Sequence, residues 1–303
     1  MKKQVGTLLT AILVASSLGL QQPVATVLAA KRPATTIVQP VKAGKEIALQ
    51  SAPNVRDLGG YVNSKGQSIK PHRLLRSAQL STLTKADARK LAKVYHLKTD
   101  VDLRTLDEQK AAPDAAIPGV THVSNPVFLH WGKASGNLSD KVAGNGVKNM
   151  ETFYRSALLS KQGRKAYRTL FLTLLRNPNN KAVLWHCSAG KDRAGMGTML
   201  ILTALGFNRK LITKDYLLSN KYLAARNAGI LAQDKQKGYT PVQLANAKAG
   251  AGVQVSFLNA GYSAVDKKYG SMQKYLRKGL GLSNKQLAQL QKSYLTAPKS
   301  VKR

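Results

Sequence analysis

Cys187 is the only cysteine in a chain of 303 residues, and Arg193 follows it six positions later in the run His186-Cys187-Ser188-Ala189-Gly190-Lys191-Asp192-Arg193. A thiolate is a nucleophile, and a guanidinium can grip two oxygens of a phosphate in its planar fork, an arrangement that lysine does not copy. Together these residue types suit attack on a phosphomonoester, with transfer of the phosphoryl group to sulfur and later hydrolysis by water. The chemistry requires neither a metal nor an organic cofactor. The elements that must position the pair are legible on either side. Lys181 to Trp185 is short, apolar and β-prone, and the run from Ala194 onward reads as a buried helix, so the octet spans a strand-to-helix turn. Such a turn is an anion cradle: the amides of Ser188, Ala189, Gly190 and Lys191 can point inward beside Arg193, the helix dipole adds positive potential, and Gly190 permits the bend. A lone cysteine between strand and helix is often a small buried hydrophobe. Its combination with Gly190, Lys191, Asp192 and Arg193 on one turn points instead to chemistry, with His186 expected to bond nearby backbone and hold the loop.

The octet resembles the HCxxxxxR loop of the protein tyrosine phosphatase superfamily, and its HCxAGKDR form is similar to the atypical bacterial tyrosine and lipid phosphatases, among them secreted listerial and mycobacterial enzymes. Other segments agree: NVRDLGGY from Asn54, LRSA from Leu75, DLRTLDE from Asp102 to Glu108, DYLLSN from Asp215, and the tail YGSMQKYLRKGLGLS. The resemblance implies a phosphotyrosine phosphatase, with dual protein specificity or phosphoinositide activity as extensions. It implies Cys187 as nucleophile, Arg193 as phosphate clamp, and a part for Lys191 and Asp192 in catalysis or substrate choice, Lys191 answering additional negative charge. Many members of the superfamily place Ser or Thr after the arginine to stabilise the departing thiolate, whereas position 194 is alanine. Slow turnover of the phosphocysteine is therefore expected, with Ser188 as a substitute donor or a hydroxyl bonded only to local backbone.

The proton donor to the leaving oxygen is open between two carboxyls. The upstream stretch 124–139, where many tyrosine phosphatases carry that aspartate, holds no Asp or Glu, and Asp140 lies just beyond it. Asp192 is within the loop itself. Asp102 ends a β-prone run and shares the carboxyl edge of the sheet with Cys187, so it is either the acid or an ion-pair partner that pins Arg193 or a helix start. Tyr61, Phe128 and Trp131 are the aromatic candidates to stack on a phosphotyrosine ring, with core packing the alternative for each.

Two further readings of the whole protein remain at this stage: a phosphoinositide or inositol-phosphate phosphatase, and a non-catalytic, wall-retained phosphate-binding protein. Charge bears on both, because 48 Lys and Arg against 14 Asp and Glu give +34. Such a field draws polyanions, so an acidic phosphorylated protein or lipid substrate, an anionic wall polymer or a membrane surface are the expected partners. The lysines are scattered and no nucleic-acid motif accompanies them, which argues against a specific nucleic-acid partner. A basic start, an apolar run from Val5 to Leu20 and small residues at Val27 to Ala30 read as a secretory signal peptide over 1–30, placing the mature protein outside the cell, in the medium or on the wall. With one cysteine the core is held by packing alone, and oxidation of Cys187 has no second thiol to arrest it.

Organisation follows from periodicity. A flexible lead is expected over 31–51 and a catalytic domain over 52–300, of class α/β: a central, mainly parallel sheet flanked by helices with a helical C-terminal elaboration. Helical spacing appears after Thr82 or Thr84, over 150–176, over 208–225 and, less regularly, over 240–260. The Ala/Gly/Lys-rich stretch 224–252 is either a lid over the site or a surface loop without contact to substrate.

Overall fold

The computed structural model describes residues 44, 46–132 and 144–297. The expected signal segment, the lead through residue 43, Asp140 and residues 298–300 lie outside them. Five strands form one sheet in the order β1-β2-β5-β3-β4: β1 (Arg56–Asp57), β2 (Leu74–Ser77), β3 (Leu97–Asp102), β4 (Thr121–Ser124) and β5 (Ala182–His186). Only the β1 pairing is antiparallel; β2, β5, β3 and β4 run parallel. This is the α/β architecture expected from the alternating pattern. Strand alternation sorts the core into two layers. Leu74, Val101, Val183 and Trp185 join the larger cluster, while Leu75, Leu97, Ala182 and Leu184 join the smaller one on the opposite face.

Two devices bring the site to the carboxyl edge. β5 lies at the centre of the sheet, with Trp185 opposite Arg76 of β2 and Val101 of β3, so the chain leaving His186 emerges between two strand ends. It turns at once into α5 (Arg193–Ala204), in which every residue is buried. The expected helix over 150–176 is a pair, α3 (Gly146–Leu159) and α4 (Lys161–Arg176), because Ser160 ends one and caps the other through Gly163 N–H. On the face of the smaller cluster α1 (Lys85–Lys93) is capped by Thr84; α2 (Leu106–Ala111), at the end of β3, starts with a capping box between Thr105 and Glu108.

Beyond α5 the chain is helical: α6 (Arg209–Tyr222), α7 (Ala224–Gln236), α8 (Pro241–Ala251), α9 (Val255–Tyr269), α10 (Met272–Lys274) continuing as a π turn through Gly279, and α11 (Asn284–Tyr294). The stretch read as one helix over 240–260 breaks at Gly252, where the Asn220 side chain bonds both the N–H and the C=O of Val253 and takes the place of helical partners. The lead also ends earlier than composition indicates. Ile47 is buried against the smaller cluster, and Ser51 bonds Asp87 of α1, so packed structure precedes Ala52. Leu49 packs against the same cluster, and the polar residues around these two concealed them.

Candidate active site

Cys187 is 2 % exposed at the base of a cavity of about 350 Å³. The bend around it depends on Gly190, whose φ is +67°; a Cβ there would lie 2.2 Å from the Ser77 carbonyl oxygen. Among the described residues, none of the amides of Ser188 to Asp192 donates to a carbonyl or a side chain. Five N–H groups without acceptors, at the head of a 12-residue helix, form a ready seat for an oxyanion.

Arg193 reaches across this seat from the first turn of α5. Its Nη1 donates to Glu108 Oε2 at 2.6 Å, and its Nη2 donates to Glu108 Oε1 at 3.0 Å and to Ser188 Oγ at 2.9 Å. The Ser188 hydroxyl in turn donates to Glu108, so it bonds neither the local backbone nor, in this state, the thiolate. Glu108 is itself held by Thr105 N–H through the α2 capping box at 2.8 Å, which delivers a carboxylate of fixed orientation to the guanidinium. Burial pushes the Glu108 carboxyl up, but the bonds and charge of Arg193 outweigh it and hold the group at about 2. Glu108 is therefore a carboxylate that fixes the clamp rather than an acid that gives a proton. The Arg193 guanidinium also stacks 5.1 Å from the Trp131 ring, which lines the cavity.

Asp192 and Lys191 form the other wall. Lys191 Nζ donates to Asp192 Oδ2 at 2.7 Å and to the Gly252 carbonyl at 3.0 Å. Tyr154 of α3 donates to Asp192 Oδ1 at 2.7 Å and shares a 2.7 Å bond with Tyr216 of α6. Burial, with the Asp192 charge next, pushes the Tyr154 phenol well above its ordinary value, so it stays a donor throughout the physiological range. Above the loop, α7 and α8 close the cavity with Arg226, Ile230, Ala247 and Ala251.

A family model described as the tyrosine phosphatase family matches residues 47–296. The chain belongs to the tyrosine phosphatase family. It is 32% identical over 84% of its length, and 90% of the relative's, to a Cupriavidus necator protein named for an inferred tyrosine-protein phosphatase activity. It is 28% identical to the triple specificity protein phosphatase PtpB of Mycobacterium tuberculosis, over 74% of this chain and 93% of that one. A Nostoc commune tyrosine-protein phosphatase is 27% identical over 75% of each chain. The protein is thus a phosphoric monoester hydrolase of the protein-tyrosine-phosphatase type, acting on phosphorylated substrates.

In this phosphatase Cys187, Ser188, Ala189, Lys191, Asp192 and Arg193 all line one cavity, with Gly190 forming its bend. Asp102 does not join them. It sits opposite His186 in the β3–β5 register, at the edge expected of it, but both carboxylate oxygens turn to Arg104, at 3.0 and 2.7 Å. It lines a separate cleft with Arg104 and His122 and gives no proton to a group bound over Cys187. The part foreseen for it as a partner of Arg193 belongs to Glu108, and the sequence signal was the Thr-x-x-Glu pattern of the capping box at 105–108.

His186 meets the backbone partner expected of it, with Nδ1 3.5 Å from the Cys187 carbonyl oxygen, and its other ring nitrogen finds carboxylates as well. Its Nε2 faces Asp114 at 3.0 Å and Asp100 at 3.4 Å. Burial lowers its basicity, but Asp100 and Asp114 more than reverse this and keep the imidazolium charged directly before Cys187. Of the three candidate stacking residues, Trp131 alone lines the cavity; Phe128 packs on Phe153, and Tyr61 donates to Asp215. The stretch 224–252 is a helical hairpin forming a wall of the site, in place of the surface loop that was its alternative.

Proposed function

We propose that the protein is an exported phosphotyrosine phosphatase with dual protein specificity, working through a phosphocysteine intermediate. The observation that carries this reading is a nucleophile type at the floor of a deep cavity, between a fixed guanidinium and five unbonded amides, under apolar walls. Such depth suits a rigid aryl phosphate, whose ring would lie beside Trp131, Ile230 and Ala247 while its phosphate reaches the loop. The Cys187 thiolate attacks phosphorus, the S–P bond forms and the P–O bond to the leaving tyrosine breaks, with Asp192 supplying the proton that the phenolate takes. Water then attacks phosphorus, returns a proton to Asp192, and releases inorganic phosphate and the thiolate. Arg193 and the amides hold the equatorial oxygens through both steps. The acid role is assigned to Asp192 as the carboxyl of the loop itself on the cavity wall, held there by Lys191 and Tyr154, while Glu108 is committed to the phosphate clamp Arg193. Membership of the family sets aside the binding-only alternative.

A second substrate class has its own support. Arg226 on the cavity wall, Lys191 and the charge of +34 all favour an anionic headgroup, and one relative is named for triple specificity. Phosphoinositides are thus the second proposed substrate. Export to the medium or the wall rests on the N-terminal sequence alone, as does retention by anionic wall polymer on the charge. N-terminal sequencing of protein from the medium and wall fractions tests it: a start at Ala30 or Lys31 is expected, and a cytoplasmic full-length chain would refute it. For the chemistry, phosphate release is measured from a phosphotyrosine peptide and a phosphoinositide side by side under reducing conditions. Release that disappears in Cys187→Ser is expected, and persistence of release in that variant would sink the phosphocysteine route.

A further inference from the structure

Three sequence segments that contribute no atom to the cavity, NVRDLGG, LRSA and DYLLSN, meet directly behind the catalytic loop. Arg76, in the middle of β2, is fully buried. Its Nη2 donates to the Gly190 carbonyl at 2.7 Å and to the Lys191 carbonyl at 3.4 Å, while its Nη1 donates to Asp215 Oδ2 at 2.8 Å. Asn54 Nδ2 donates to the neighbouring Ala189 carbonyl at 2.9 Å, and Asn54 is itself held by Arg56. Arg56 returns to Asp215, with Nε 3.4 Å from Oδ1, and Tyr61 donates to the same oxygen at 3.1 Å. Asp215, 1 % exposed on α6, is thus an anion held between two buried guanidiniums.

The consequence lies in peptide geometry. In a trans peptide the C=O of one residue and the N–H of the next point in opposite directions. Carbonyls of Ala189, Gly190 and Lys191 drawn backward by Asn54 and Arg76 therefore turn the N–H groups of Gly190, Lys191 and Asp192 forward, into the cavity. The Ser188 carbonyl, which accepts from Gln79 N–H at 3.3 Å, does the same for Ala189. Without donors behind it, a loop with a glycine at φ +67° could rotate these planes and turn carbonyl oxygens toward the anion.

We propose that Asp215, acting through Arg76, is a positioning residue for catalysis: it fixes the guanidinium that aims the loop amides at the transferring phosphoryl group. This rests on the phosphatase reading of the loop and assigns a task to residues outside it. The aim of amide donors matters most in the trigonal-bipyramidal transition state, so loss of Asp215 should lower kcat more than it raises KM.

The test compares wild type with Asp215→Asn, which keeps shape and removes the charge. Readouts are kcat and KM on p-nitrophenyl phosphate, the inhibition constant of orthovanadate, which mimics the transition state, and the melting temperature. Expected is a loss of kcat of about 10- to 100-fold, the range typical of residues that orient a reacting group from behind, with the vanadate constant rising in proportion to the fall in kcat/KM. A merely structural role would lower the melting temperature and the active fraction and leave vanadate affinity per folded molecule unchanged; that result overturns the proposal. Should Asp215→Asn give no melting transition, Arg76→Lys keeps the buried charge and removes the fork that joins Asp215 to the Gly190 carbonyl, and an unchanged vanadate constant there overturns it equally. If wild type releases no phosphate, the function reading fails separately. Calorimetric titration of orthovanadate into the same proteins then still decides the positioning role, because it needs no turnover.

Discussion

The floor and the roof of the cavity are built on opposite principles. The floor, from Cys187 to Arg193, is backed by the almost fully buried side chains of Arg76 and Asp215, and ion pairs and charge-assisted bonds fix Arg193 and the Gly190 carbonyl. The roof, α7 and α8, is thinly packed: Asp234 is the one buried residue of α7 among those described, and α8 buries only three alanines. A reaction common to all phosphomonoesters needs one geometry, whereas the shape of the remainder of the substrate does not. Chemistry is thereby separated from selection, with a floor that resists movement and a roof that can change at little energetic cost.

The largest effect should come from the floor itself. Gly190→Ala places a methyl group against the Ser77 carbonyl at a φ that alanine disfavours, and phosphate release per folded molecule should fall by at least about 10³-fold, together with a clear drop in the melting temperature. Activity within tenfold of wild type would show that the floor adapts as the roof does. Next in size, Asp192→Asn should cost about 10²- to 10³-fold on alkyl or tyrosyl phosphates and far less on activated aryl phosphates, whose leaving groups need no proton. Equal losses on both would remove Asp192 as the acid.

A smaller effect is expected at the contact between α2 and the loop. Glu108→Gln keeps the capping box and weakens the hold on Arg193, and a fall in kcat of about tenfold should follow. Its pH signature is distinct. Because the folded protein holds Glu108 at about 2, below an ordinary carboxyl, the stabilisation from this pair is complete above the ordinary range and is lost as pH falls toward about 2. Urea midpoints measured between about pH 6 and pH 3 should therefore decline more steeply in wild type than in the variant. Parallel declines would show that Glu108 carries no such coupling. The smallest change belongs to the roof: Ile230→Ala should raise KM for a phosphotyrosine peptide about three- to tenfold, as loss of an apolar contact does, with kcat nearly unchanged. A large fall in kcat instead would place the roof within the catalytic machinery.

The same division explains what could be read from the chain. The strand, loop and helix around Cys187 are consecutive, so their periodicity and glycine were visible directly, and the parallel sheet followed from alternation. Contacts that cross long stretches of sequence were not visible. Glu108 lies 85 positions from Arg193, and nothing in its immediate surroundings distinguishes it from any helix-capping glutamate. Asp102 was placed at the correct edge, yet strand position does not fix where a carboxylate turns, and Arg104 two residues on captured it. Tyr154 offered only the spacing of a core aromatic, and its bond to Asp192 arises from the packing of α3 against α5. The hairpin of α7 and α8 was obscured by alanine and glycine, which give helical sequence without an apolar face.

The unbonded amides of the loop carry one more consequence, for observation rather than for catalysis. The N–H groups of Ser188 to Asp192 have no acceptor among the described residues, so deuterium from solvent should replace their hydrogens quickly. An oxyanion seated on the loop supplies that acceptor and slows the replacement. A short peptide covering these residues would then act as an internal gauge of occupancy, reporting which anions enter the cavity without any label and without turnover.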